Sequence, residues 1–156
     1  LTSAKELILP KIVGKNVFLG GLISAEKLIL PETVGENLML SSLISIKGVK
    51  LPKIVNDSLN LNEITSTEDL ILPERIGKRL CLNSLTSAEG LILPQFVGNR
   101  IELMHLHSPK GLKLPYGFNL DGLKCNEDVK NEILKNPEEY YMEPPIIEEK
   151  ETLKRK

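Results

Sequence analysis

Six serines occupy the same place in a recurring 21-residue unit: Ser3, Ser24, Ser45, Ser66, Ser87 and Ser108. A hydroxyl nucleophile must be singular, with a base beside it and a third group holding that base. A serine in every unit without a base in every unit reads instead as hydroxyls that satisfy backbone amides at a buried corner. His105 and His107 are the only two histidines; two apart, they share one face of an extended strand. A metal needs three or four ligands, and no cysteine or carboxylate stands in an evident third register, so the pair reads as surface. Lys78, Arg79 and Arg100 fall in neighbouring units and form a basic spot of the kind that holds phosphate or carboxylate. Glu36 and Asp57 on the same ladder compete for it. The glycines are spread along the chain rather than clustered before a helix, which excludes a phosphate loop. Solenoid glycosidases need acids projecting together, whereas the outward positions offer an isolated Glu102 and alternating Lys/Glu pairs. These residues assign no catalytic group, metal or cofactor, and the chain is read as a non-enzyme.

Composition narrows the class further. The chain has 156 residues, 41% hydrophobic and 26% charged, with 4% aromatic and no tryptophan. That is material for one aliphatic core, poor in stacking platforms for bases or sugars. With 20 basic and 21 acidic residues, a dedicated nucleic-acid surface is not expected. No apolar run is long enough to span a bilayer, so no membrane insertion is expected. Cys81 and Cys125 sit in different registers of the unit and read as free thiols. They favour a reducing, cytoplasmic setting. The chain opens on a unit boundary without a methionine, so a surface or secreted location is the alternative if it is a fragment of a longer protein.

The elements that would position these residues come from the repeat. Units begin at Leu1, Leu22, Leu43, Ile64, Leu85 and Leu106 and read approximately L-x-S-A-x-x-L-I-L-P-x-x-V-G-x-x-L-x-L-x-x. A fixed period in the low twenties signals a solenoid whose coils cannot bury their apolar faces alone. Apolar residues two apart, as at Leu7/Leu9 and Val17/Leu19, predict two short strands per coil. The unit-opening leucines and the Val13 row add two further inward corners. Pro10 and its equivalents end the first strand. Gly14, Gly35, Asn56, Gly77, Gly98 and Asn119 exchange only glycine and asparagine, which predicts a left-handed backbone there. Stacked coils about 4.8 Å apart would form ladders. Alternating charges along Lys5–Glu26–Lys47–Glu68–Glu89–Lys110 and Lys11–Glu32–Lys53–Glu74 predict modest cross-coil pairs.

The run Leu38-Met39-Leu40-Ser41-Ser42-Leu43 resembles the strand segment of leucine-rich repeats. Leu91-Ile92-Leu93-Pro94-Gln95-Phe96-Val97 is similar to the repeat of the BspA-like bacterial class. The resemblance covers about residues 1–126. The usual asparagine ladder after the strand is absent, Asn62 and Asn83 standing isolated, so a horseshoe with a helical convex side and a plain β-helix both remain open. The resemblance implies protein recognition, in surface proteins or effectors of bacterial or phage setting.

The expected fold is mainly β: a parallel β-solenoid of about six coils over 1–126, a capping helix over 127–136 and an extended or mobile tail over 137–156. The sixth unit is one residue longer, which places Cys125 where the second strand's inward leucine belongs. Asn126 caps the helix, and Val129, Ile133 and Leu134 share its inward face. The N-terminal coil carries no cap, and its open edge could serve self-association.

Function is expected at the outward positions between strand leucines. They are Phe18, Met39, Asn60, Cys81 and Glu102 on the second strand, and Ile8, Ile29, Ile71 and Ile92 on the first, where Lys50 and Lys113 interrupt. The former row varies while its flanks stay constant; the latter puts isoleucines on an exposed face, which often marks a contact. The expected partner is a protein, met by a recognition scaffold that acts as an effector or inhibitor. The alternative is a structural segment of a longer bacterial surface protein.

Overall fold

The computed structural model describes Ser3, Ala4 and residues 6–146. Equivalent residues of successive units stand side by side in parallel register: Ile12 pairs with Thr33, Thr33 with Ile54, Ile54 with Arg75 and Arg75 with Phe96. Two sheets result. The first contains β1 (Ile12–Val13), β3 (Thr33–Val34), β5 (Ile54–Val55), β7 (Arg75–Ile76) and β9 (Phe96–Val97). The second contains β2 (Val17–Phe18), β4 (Leu38–Met39), β6 (Ser58–Asn60), β8 (Arg79–Cys81), β10 (Arg100–Leu103) and β11 (Leu123–Cys125). Five units thus make full coils, and the sixth contributes only β11 to the sheets. Its extra residue is visible in the register, where Ile101 pairs with Leu123. Cys125 consequently pairs with Leu103 and packs half-buried against the core.

The strands differ from expectation on one side. The Leu7–Leu9 segment makes only isolated bridges, Ile8 to Ile29 and Ile29 to Lys50. The first sheet lies instead just after each proline, on the Val13 row. The backbone on the Leu7–Leu9 side is given over to a tight turn at its start. The N–H of position seven donates to the carbonyl of position four, as from Leu28 to Ala25 at 3.0 Å and from Leu91 to Ala88 at 3.0 Å.

That turn also corrects the placing of the left-handed residue. Positive φ falls at position six, on Glu6, Lys27, Gly48, Asp69, Gly90 and Gly111. A four-residue turn with positive φ at its third residue suits glycine and tolerates aspartate better than lysine. Neither Gly14 nor its equivalents have positive φ. Gly35, Gly77 and Gly98 are glycine for closeness: a Cβ on Gly35 would stand 2.2 Å from the Gly14 oxygen, and one on Gly77 only 1.9 Å from the Asn56 oxygen. Stacking of coils, not local backbone shape, makes the demand.

The core is a column of aliphatic rows. Leu38, Leu59, Leu80 and Ile101 are fully buried, as are Leu40, Leu61, Leu82 and Leu103. A further row appears at position four, where Ala25, Ile46 and Ala88 are buried. Alanine was too small to announce that row by hydrophobic pattern. No helix interrupts coils one to five among the described residues, so the body is a plain β-solenoid rather than a helix-backed horseshoe.

The C-terminal end is closed. Helix α1 (Glu127–Lys135) starts at Asn126, whose Oδ1 accepts the Val129 N–H at 2.9 Å. Val129 and Ile133 are buried against the last coil, whereas Leu134 is exposed; at 100° per residue it is turned away from Ile133. The tail begins with a 3₁₀ turn over Pro137–Tyr140. Tyr141 then bridges in parallel to Leu114, with N–H···O distances of 2.7 Å from Leu114 to Tyr140 and 2.8 Å from Met142 to Leu114. This part of the tail is thus packed, with Tyr140 buried. Residues 147–156 of the expected tail lie outside the described residues.

Candidate functional site

A strand's alternating directions decide which residues reach solvent. On the turn side, Ile8, Ile29, Ile71 and Ile92 are 68%, 54%, 81% and 76% exposed. Lys50 stands among them, and two shallow grooves run on either side of it, sharing Gly48, Leu51 and Lys53. Between Lys50 and Leu114 no backbone bridge forms on this side among the described residues. Side-chain packing holds the coils together here, joined at the turns by Thr67 Oγ1 donating to the Glu89 carbonyl at 2.8 Å and by the Glu89–Lys110 ion pair. The apolar row predicted from sequence is therefore real and solvent-facing.

The other predicted row is mixed. Phe18 is 68% exposed, Met39, Asn60 and Glu102 are half-buried, and Cys81 is buried. Cys81 cannot contact a partner without local opening, which corrects its place in the outward row. Burial, then the negative charge of Glu102, pushes its thiol up to about 11. Beside it Glu102 gathers donors: Asn83 Nδ2 at 3.1 Å, Arg100 at 3.6 Å and Arg79 at 3.8 Å. The basic spot read from sequence is thus occupied by the chain's own acid, and Lys78 is bound to Asp57 at 2.6 Å. The hydrogen bond from Lys78 holds the Asp57 carboxyl below its ordinary range.

The remaining polar residues are architectural. Ser45, Ser66, Ser87 and Ser108 accept the N–H two residues on, at 3.1–3.3 Å. They do satisfy corner amides, but at exposed corners rather than buried ones. His105 Nδ1 bonds the Asn83 carbonyl and His107 is exposed. Among the described residues no three His, Cys, Asp or Glu side chains come together as a metal site. Of the two expected charge ladders, only Glu89–Lys110 forms an ion pair among the described residues, at 2.9 Å. The pairing moves to position fifteen, where Lys15 meets Glu36 at 2.9 Å and Asp57 meets Lys78.

Two features escaped the sequence. Asn62 and Asn83 are not isolated: Asn62 Oδ1 accepts the Asn83 N–H at 3.3 Å, and Asn83 Oδ1 accepts the Met104 N–H at 3.1 Å. Their spacing of one full unit was the available signal. On the first sheet, Ile12 and Phe96 face solvent, and the Arg75 guanidinium lies 4.0 Å from the Phe96 ring centroid. Such an exposed cation–π contact is worth about 0.5–1 kcal/mol.

No protein family, no curated protein and no solved structure matches this chain.

Proposed function

We propose that this chain is a non-enzymatic protein-recognition scaffold of the leucine-rich-repeat, BspA-like kind, which acts by covering part of another protein. The observation that carries the reading is the exposed isoleucine row. Four large aliphatic side chains of one ladder face water on a rigid column, and monomers seldom leave such rows uncovered. The β-solenoid body with 21-residue coils supports the repeat class, since each coil offers the same frame with a variable outward residue. Glu102 is engaged by its own neighbours, which favours a binding rather than a catalytic reading.

The test is affinity capture with the whole chain as bait, comparing wild type with Ile71→Glu/Ile92→Glu and with Phe18→Glu. Their exposed positions leave folding intact, as thermal unfolding will report. Loss of a specific partner from the isoleucine variant supports the reading and places the contact there. Loss only from Phe18→Glu moves the contact to the second sheet. Capture of the same partner by every folded variant refutes both faces.

A further inference from the structure

A line of lysines crosses the isoleucine ladder. The third coil places Lys47, Lys50 and Lys53 three residues apart, all exposed, and no acid stands between Leu43 and Asn56. Glu32 and Glu74 flank Lys53 in its row, and Glu26 and Glu68 flank Lys47. Yet none of the three lysines lies within ion-pair distance of a carboxylate among the described residues. Lys50 has only Ile29 and Ile71 beside it in its row. Described coils stand on both sides of this line.

Two apolar grooves adjoin it. Lys50 and Lys53 line both, with Leu28, Leu30 and Leu51 in one and Val49, Leu51 and Leu72 in the other. The second groove encloses about 440 Å³. Backbone bridges run from Ile8 through Ile29 to Lys50 and stop there, so no main-chain bond closes the gap between Lys50 and Ile71. Gly48, shared by both grooves, has no side chain to fill them.

We propose that the third coil's exposed ridge binds an extended peptide segment of a partner protein, aliphatic where it enters the grooves and bearing a carboxylate for Lys50 and Lys53. This rests on the reading of the isoleucine face as a protein contact, and names the partner's chemistry. Successive side chains of an extended chain point to opposite sides, which suits two grooves separated by one ridge. Charge fixes the width of the occupant. On the same face the two flanking coils expose Glu26, Glu32, Glu68, Asp69 and Glu74 with only Lys27 against them. A broad anionic surface such as a membrane meets those acids as well, and is repelled. A ligand one coil wide meets the lysines alone. Neither groove has an aromatic lining residue, so a nucleic-acid base finds no stacking platform.

The probe is a phage-displayed library of random nonapeptides panned on the full chain. Enriched sequences should carry Asp or Glu among Leu, Ile or Val. A synthetic enriched peptide should bind wild type saturably in fluorescence anisotropy, and at least about 10-fold more weakly to Lys50→Glu/Lys53→Glu. Replacing the peptide's acid by lysine should restore binding to that variant. Both lysines are exposed, and thermal unfolding checks that the variant folds. Enrichment without acids, or equal affinity for wild type and the lysine variant, overturns the proposal. If such peptides are still lost from Ile71→Glu/Ile92→Glu, the contact face survives and only its charge selection fails. No enrichment on the folded chain also overturns the proposal, and partner capture then judges the contact face alone. Co-sedimentation with vesicles of equal parts phosphatidylcholine and phosphatidylserine, abolished in the lysine variant, overturns it in favour of a membrane.

Discussion

Replacing Gly77 by alanine tests whether coil stacking, rather than backbone conformation, selects glycine at position fourteen. The new Cβ would stand 1.9 Å from the Asn56 oxygen. A relaxed carbon–oxygen contact is about 3.3 Å, so the third and fourth coils must part locally by about 1.4 Å. Backbone bonds flank the point of contact. Gly77 N–H reaches Val55 O at 2.9 Å and Lys78 N–H reaches Asp57 O at 2.8 Å. The same displacement carries both beyond hydrogen-bonding distance. Each lost bond costs about 1 kcal/mol net, and overpacking strain adds about 1–3 kcal/mol. A destabilisation of about 3 kcal/mol or more follows, or roughly 6–12 °C in Tm for a chain of this size. Gly14→Ala is the internal control, expected within about 0.5 kcal/mol of wild type. Urea and thermal unfolding followed by circular dichroism measure both. Asn56 shows what refutation looks like, since it carries a side chain here and its N–H still reaches Val34 O at 3.0 Å. If Gly77→Ala melts within a degree or two of wild type, the coil has taken up the Asn56 backbone and the steric argument fails.

Lys27 holds positive φ, so Lys27→Gly should stabilise the chain by about 0.5–1 kcal/mol in urea unfolding, the relief of a left-handed side chain offset by glycine's greater unfolded-state entropy. Gly48→Ala, which meets no neighbouring atom but has φ of 75°, should destabilise by about 1 kcal/mol; an unchanged midpoint would show that the turn can flip. Cys81, buried and pushed up to about 11, should resist thiol reagents at pH 8 until denaturant is added, and rapid labelling in the native state would place it at the surface. Because its folded value lies above that of a free thiol, its contribution is fully present below about pH 8.5 and is lost as pH rises towards 11; Cys81→Ala should flatten that part of the stability–pH curve. Tyr140→Ala empties a buried site under the last coil and should cost about 3 kcal/mol, whereas Tyr116→Ala, at an exposed tyrosine, should cost little.

Much of the architecture was legible because a repeat states each rule several times over. Leu38, Leu59, Leu80 and Ile101 recur at one spacing, and a residue that recurs so regularly must face the same environment each time. The turn at positions four to seven was harder to see, since Glu6, Lys27 and Asp69 disguise a left-handed site that Gly48, Gly90 and Gly111 reveal. Position fourteen attracted the conformational explanation because only glycine and asparagine occur there. A sequence does not distinguish a glycine needed for φ from one needed for distance.

The sequence by itself determined the coil length, the parallel stacking, the aliphatic rows and the capped C-terminal end, because periodicity and capping are local properties. Only the tertiary structure decided which polar groups are already engaged. Arg79 and Arg100 turn to Glu102, the charge pairs gather at position fifteen, and Cys81 sinks beneath its neighbours. Those outcomes depend on distances across coils, where a shift of one ångström separates a contact from a clash.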